Sequence, residues 1–243
     1  MKRFYKDVSV ASSPPTLEGE GGRKGAYAIL LDGKPIRTPA RAALTVPTRA
    51  LAEAIAEEWR RQGETLMPQS MPLTRLANTA IDLPTLDRGK FVNQVLAFGN
   101  SEFLCYRAEA SEALAVRQRA TWDPVLDWLA QRHGARLTTG VGLGFVEQPG
   151  EAQVALDKAV WSHDDFMLAA LHSAATVTGS LALALALADA RLDARAAFAA
   201  STLDESFQAE YWGHDAQAQA RRARLSAELA ATERFMRLLK NKE

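Results

Sequence analysis

The apolar residues of the first 46 positions come in short runs, and turn signals separate these runs. Short apolar runs bounded by glycine, proline and aspartate are typical of β-strands. The dipeptide Asp32-Gly33 favours the tight turn of a β-hairpin, so it predicts that the strand before it returns antiparallel over residues 36–38. Pro35 and Pro39 predict that this return strand is short or lies at an edge. The candidate strands are residues 4–10, 27–31, 36–38 and 43–46.

Further along, the apolar period lengthens to that of a helix. Leu51, Ile55 and Trp59 recur every four residues, which predicts an amphipathic helix packed on the small sheet. Most of the chain beyond residue 71 has the same spacing. The predicted helical stripes cover residues 73–81, 87–95, 122–129 and 215–239.

One of these helices is predicted to have a proline near its start. Pro124 follows Asp123 at the beginning of the stripe over residues 122–129, and proline is favoured in the first turn of a helix. Gly134 follows the stripe, and glycine commonly ends a helix in the left-handed conformation. The spacing therefore predicts a helix from about residue 122 to residue 133.

Leucine and alanine alternate strictly over residues 181–188, a period that would ordinarily indicate a strand. Both are strong helix formers and no β-branched residue interrupts them, so we predict a helix with leucines around its whole circumference. Such a helix must be surrounded by protein. The uncharged stretch over residues 166–188 is long enough to cross a membrane, but its histidine, serine, threonine and alanine content favours a buried helix pair.

These patterns predict an α+β fold in two domains. A small β-rich N-terminal domain with one or two helices is expected over residues 1–85, and a larger all-α domain over residues 86–243. The 243 residues are 47% hydrophobic and 24% charged, as in an ordinary globular protein. The 29 basic and 29 acidic side chains cancel, which argues against binding nucleic acid or a membrane surface through net charge. Cys105 is the single cysteine, so a reducing compartment fits best.

The motifs of nucleotide binding and nucleophilic catalysis are incomplete or missing. Residues 19–25 are rich in glycine but lack the serine or threonine that follows the lysine of a phosphate-binding loop. Gly140 and Gly142 begin a dinucleotide-type spacing, but Phe145 stands where the third glycine is required. The sequence contains no G-x-S-x-G elbow. The residues therefore give no support to nucleotide binding or to nucleophilic catalysis by these motifs.

Two other functional classes stay open from the residues alone. One is a divalent-metal phosphohydrolase, because imidazole and carboxylate ligands suit such metals. Its ligands would be His133, His163, Asp164 and Asp189, with Asp193 in place of Asp189 as a variant. A structural reading explains the same residues as helix-end groups. The other class is an RNA-binding protein that contacts phosphates through Arg221 and Arg222, although helical spacing spreads these side chains around the axis.

Residues 203–215 combine carboxylate, amide and aromatic side chains in a short segment. On a helix Glu205 and Gln208 lie one turn apart, and Phe207 and Tyr211 share a stripe. Such a mixture suits a protein interface. The alternative is an ordinary helix whose aromatic residues are buried and whose acidic residues are solvated.

Seven segments of this sequence, in the same order, resemble a known family: the assembly chaperones of the ATP synthase catalytic head (F1) that bind its α subunit. The resemblance covers nearly the whole chain. The segments are residues 2–6, 31–39, 57–59, 71–80, 105–108, 122–124 and 205–213.

The resemblance implies a β-containing N-terminal domain, a larger helical C-terminal domain and no catalysis, cofactor or metal. It implies that the chain shields an unassembled α subunit until the β subunit replaces it. The partner-binding residues that match the family's C-terminal motif are Glu205, Gln208, Trp212 and Gly213. We expect a monomer when free, with no nucleic acid partner and no membrane insertion. Mitochondrial members of the family carry a presequence, and no such segment is seen here, so a bacterial cytoplasmic protein is expected.

Overall fold

The computed structural model describes residues 1–12, 26–83, 87–142, 144–213 and 215–241. The strands are β1 (Val8–Ser12), β2 (Tyr27–Leu31), β3 (Lys34–Pro35), β4 (Thr45–Val46), β5 (Tyr106–Arg107) and β6 (Gly140–Val141). The α-helices are α1 (Arg49–Arg60), α2 (Pro72–Asp82), α3 (Arg88–Asn100), α4 (Glu112–His133), α5 (Gly150–Trp161), α6 (Asp165–Thr178), α7 (Leu181–Ala188), α8 (Ala194–Ser201), α9 (Leu203–Trp212) and α10 (Ala216–Lys240).

The chain forms two compact units. The first comprises Met1–Arg88, Asp165–Ala170 and Arg234–Glu243, and the second comprises Gly89–Asp164 and Leu171–Glu233. The small sheet lies in the first unit and the second unit is mainly helical. The α+β fold with a larger helical part is confirmed. The domain boundary near residue 85 stays a prediction.

The sheet of the first unit is built on β2, which pairs antiparallel with β1, β3 and β4. Asp32 and Gly33 both have positive φ, 48° and 78°, as the predicted tight hairpin turn requires. The return strand β3 begins earlier than predicted, directly after the turn. Of the predicted residues 36–38, Arg37 forms a single bridge to Ala43.

Helix α1 packs on this sheet through the predicted stripe, because Leu51, Ile55 and Trp59 are all buried. Its neighbour α2 begins against the carboxylate of Glu58, which accepts hydrogen bonds from the backbone N–H groups of Leu73 and Thr74, each at 2.8 Å. The carboxylate satisfies two of the N–H groups that a helix leaves unpaired at its start. This contact joins two of the segments that carry the family resemblance. Burial raises the pKa of Glu58.

The alanine-leucine segment of the second unit is the helix α7, and all eight of its residues are buried. Its first turn is capped by Ser180, whose hydroxyl accepts from the Leu183 N–H at 3.0 Å. The carboxylate of Glu102 accepts from the Ala182 N–H, also at 3.0 Å. The prediction of a helix over residues 181–188, made from composition, is confirmed. Within the described residues, no helix is both long and apolar enough to cross a membrane.

The predicted start of the helix around Pro124 is wrong. Helix α4 begins at Glu112, after Ser111 accepts a hydrogen bond from the Leu114 N–H, so Pro124 lies in its interior. The residues before the proline are mostly good helix formers and extend the helix upstream of it. The predicted stop is confirmed, since Gly134 has a φ of 76°. The glycine-rich residues 19–25 lie outside the described residues.

Candidate partner-binding site

Helix α9 carries the predicted partner-binding residues, and its ends are defined by local sequence. It follows α8 after Thr202, and Asp204 and Glu205 lie in its first turn, where negative charge is favoured. It ends at Gly213, whose φ of 82° and ψ of −177° suit a residue without a side chain. Gly213 therefore sets the direction in which the chain leaves α9.

Polar contacts and one aromatic ring fix α9 to α4. Phe207 is the single buried residue of α9. Gln118 donates a hydrogen bond to Asp204 at 3.0 Å, which holds the first turn. Arg117 pairs with Glu210 at 2.6 Å, and its guanidinium lies 5.0 Å from the centre of the Phe207 ring. The inner face of α9 is thus held in place while its outer face stays in solvent.

The outer face contributes to an open groove between α9 and the start of α10, with a volume of about 430 Å³. The groove brings together all four residues predicted for partner binding. Trp212 has 88% of its surface exposed, and Tyr211 beside it 69%. The groove is lined by Glu205, Gln208, Ala209, Trp212, Gly213, Asp215, Ala218, Gln219, Arg221 and Arg222.

Arg222 links the two walls of the groove. One of its Nη atoms donates to the hydroxyls of Thr202 and Ser206 at 3.1 and 2.9 Å. The other lies 3.4 Å from the carboxylate of Glu205, whose side chain is 60% exposed. Asp215 caps α10 by accepting from the Ala218 N–H at 3.1 Å.

Comparison with known proteins decides the family. The model of the ATP12 chaperone protein family matches residues 2–130. The chain belongs to the ATP12 chaperone family.

The structural relatives of this ATP12 protein cover almost its whole length. Atp12 from Paracoccus denitrificans is 40% identical, with 98% of each chain covered and a TM-score of 0.87. The Atu1473 protein from Agrobacterium tumefaciens is 42% identical, with 98% of this chain and 86% of that chain covered and a TM-score of 0.89. The mitochondrial protein atp12 from Schizosaccharomyces pombe is 23% identical over 224 residues, or 87% of this chain and 74% of that protein. Our chain is accordingly a chaperone of ATP synthase assembly and not an enzyme.

The metal-site hypothesis is wrong. His133 and Asp189 do approach each other, with Nε2 and Oδ2 at 3.5 Å, but Asp189 is already bound by Arg132 at 2.9 Å. Burial lowers the pKa of His133, and the ring of Trp128 lies edge-on to it. Among the described residues, which include His163 and Asp164, no group of three or more histidine, cysteine, aspartate or glutamate side chains is placed to hold a metal ion.

The contribution of α10 to the groove was not predicted from the sequence. The sequence suggested only a phosphate contact for Arg222, yet its side chain lines the groove beside Glu205. A signal was present, because Glu205 and Arg222 lie nearly equally far in sequence from the turn at Gly213. Two helices that fold back on each other at a turn bring such residues together.

Proposed function

We propose that this ATP12 chaperone binds the unassembled α subunit of the F1 head and covers the surface that the β subunit later occupies. The groove between α9 and α10 is the contact site. Glu205, Gln208 and Trp212 supply charge, hydrogen bonds and apolar area to it. Gly213 shapes the end of α9 so that Trp212 stays on the outer face.

The observation that carries this proposal is the exposure of Trp212 in the lining of a charged groove, with the exposed Tyr211 next to it in sequence. Tryptophan and tyrosine are enriched in protein interfaces and often dominate their binding energy. Trp212 and Tyr211 stand on a helix with one buried residue, so they contribute little to the core. An unassembled α subunit exposes a surface meant for its neighbour, and covering that surface prevents wrong association.

The proposed setting is the bacterial cytoplasm, with the free chaperone as a monomer. Bacterial proteins match this chain at 40 and 42% identity over almost its full length. Release needs no nucleotide, because replacement of the chaperone by the β subunit supplies the free energy. The chaperone's affinity must therefore be lower than that of the true neighbour.

The test is binding of purified α subunit to Glu205→Lys and Glu205→Gln variants, measured by calorimetry. We expect Glu205→Lys to weaken binding at least about tenfold and Glu205→Gln to weaken it less, because the lysine adds repulsion to the loss of charge. Glu151→Lys is the matched control, since Glu151 is also an exposed glutamate in the first turn of a helix. Thermal unfolding is expected to change little in all three.

Two results would contradict the proposal. One is an α subunit that the unaltered chaperone does not bind. The other is a Glu205→Lys variant that binds like the control, which would remove Glu205 from the contact. Adding β subunit to the preformed complex completes the test, because the proposal requires the chaperone to be released.

A further inference from the structure

The four charged side chains that line the groove differ in how far the protein itself satisfies them. Asp215 is occupied as the cap of α10, and Arg222 is occupied by Thr202 and Ser206. Among the described residues, the carboxylate of Glu205 contacts only Arg222, at 3.4 Å. Arg221 is exposed, and the described part of the chain gives it neither a hydrogen bond nor an ion pair. Two opposite charges thus remain available to a partner.

Glu205 can exchange its partner at little cost. An exposed ion pair contributes between about 0 and 1 kcal/mol to stability. Arg222 keeps its two hydroxyl contacts when the carboxylate leaves, so α10 stays attached to α9. A basic side chain of a bound protein can therefore take the place of Arg222 beside Glu205.

Arg221 occupies the ridge between two hollows. It lines the groove with Glu205 and Trp212, and it also lines a second open hollow formed by α10 residues. The second hollow is lined by Asp215, Gln217, Ala218, Ala220, Arg221 and Arg224. A carboxylate of a partner that covers the groove meets the Arg221 guanidinium at its edge, and arginine is well suited to paired hydrogen bonds with a carboxylate.

We propose that Arg221 is a specificity-determining residue of this chaperone, binding a carboxylate of the α subunit while Glu205 binds a basic side chain of the same surface. An apolar side chain of the α subunit, lying between its two charged groups, covers Trp212. This inference rests on the proposed function and names the chemistry of the surface that the groove selects. A surface with charge of one sign would leave either Glu205 or Arg221 facing a like charge.

The experiment compares four variants for binding to purified α subunit: Arg221→Glu, Glu205→Arg, the double variant with both changes, and Arg195→Glu as control. Arg195 is an exposed arginine on α8, so its reversal changes net charge equally without touching the groove. Arg221→Glu and Glu205→Arg shift the net charge in opposite directions. We expect each to weaken binding at least about tenfold, while Arg195→Glu binds within about twofold of the unaltered protein. The double variant restores the net charge and is expected to stay weak.

If net charge alone drew the two proteins together, the results would differ. One single variant would bind the α subunit more tightly and the other more weakly, and the double variant would regain the affinity of the unaltered protein. That result, or an Arg221→Glu variant that binds like Arg195→Glu, would overturn the assignment of Arg221. Either of these outcomes can be seen only if the unaltered chaperone binds the α subunit. If the unaltered chaperone does not bind, the proposed function fails. Failure of the proposed function is thereby distinguished from failure of the Arg221 assignment. Circular dichroism of each variant checks that the helices are retained.

Discussion

Helices α7 and α9 have similar lengths, eight and ten residues, but opposite surroundings. Helices this short are unstable alone in water, so each depends on what it contacts. All of α7 is buried, whereas Phe207 is the single buried residue of α9. One short helix thus serves the core of the second unit, and the other leaves most of its surface in solvent.

The first turns of α7 and α9 also differ in burial. The first turn of α7 lies inside protein, and Ser180 and Glu102 satisfy its N–H groups. The first turn of α9 has no side-chain cap and carries Asp204 and Glu205. A buried helix start requires such partners because an unpaired N–H away from water is costly. The start of α9 is only partly covered, so Glu205 stays exposed while Asp204 is held by Gln118.

The largest expected effect comes from the core helix. Leu183→Ala removes a fully buried side chain of α7 and is expected to lower the free energy of unfolding by about 2 to 5 kcal/mol, measured by urea denaturation. Leu183→Met keeps the volume and is expected to cost less than about 1.5 kcal/mol. Equal stabilities of the alanine variant and the unaltered protein would show that α7 does not anchor the core.

The same comparison shows what can be predicted from sequence. The composition of residues 181–188 predicted a buried helix, and the Asp32-Gly33 dipeptide predicted a hairpin, because both signals are local. Pro124 misled because a helix can continue through a proline when the residues before it favour the helix strongly enough. A local rule states the preference of one residue. Where a helix begins depends on the combined preferences of all the residues in the segment.

The groove was predictable only on one side. Glu205, Gln208, Trp212 and Gly213 lie close together in sequence and match one motif, so they were found together. Arg221 and Arg222 reach the same groove from α10, across the turn at Gly213. Only the packing of the two helices shows which face of α10 meets α9.

The second prediction concerns the carboxyl group that caps α7. Complete burial raises the pKa of Glu102 to about 7, against its backbone and side-chain hydrogen bonds, which lower it. From about pH 4.5 to pH 7 the unfolded chain loses this proton while the folded chain keeps it, so unfolding becomes easier as the pH rises. Relative to Glu102→Gln, the unaltered protein is expected to lose about 3 kcal/mol of unfolding free energy across this range and little more above it.

Urea denaturation of both proteins at several pH values measures this difference. Glu151→Gln removes an exposed carboxylate and controls for the change in net charge. If the unaltered protein instead gained stability relative to Glu102→Gln as the pH rose, hydrogen bonds to the carboxylate would outweigh its burial.

The smallest expected change in stability is at the exposed end of α9. Trp212→Ala removes a side chain that is 88% exposed, so the free energy of unfolding should change by less than about 0.5 kcal/mol. Binding of the α subunit should nevertheless weaken at least about tenfold, because a large aromatic side chain commonly dominates an interface. Phe145→Ala, which removes another highly exposed ring, should leave binding unchanged. If Trp212→Ala instead unfolded more easily and bound normally, α9 would belong with α7 as a structural helix, and the contrast between them would be lost.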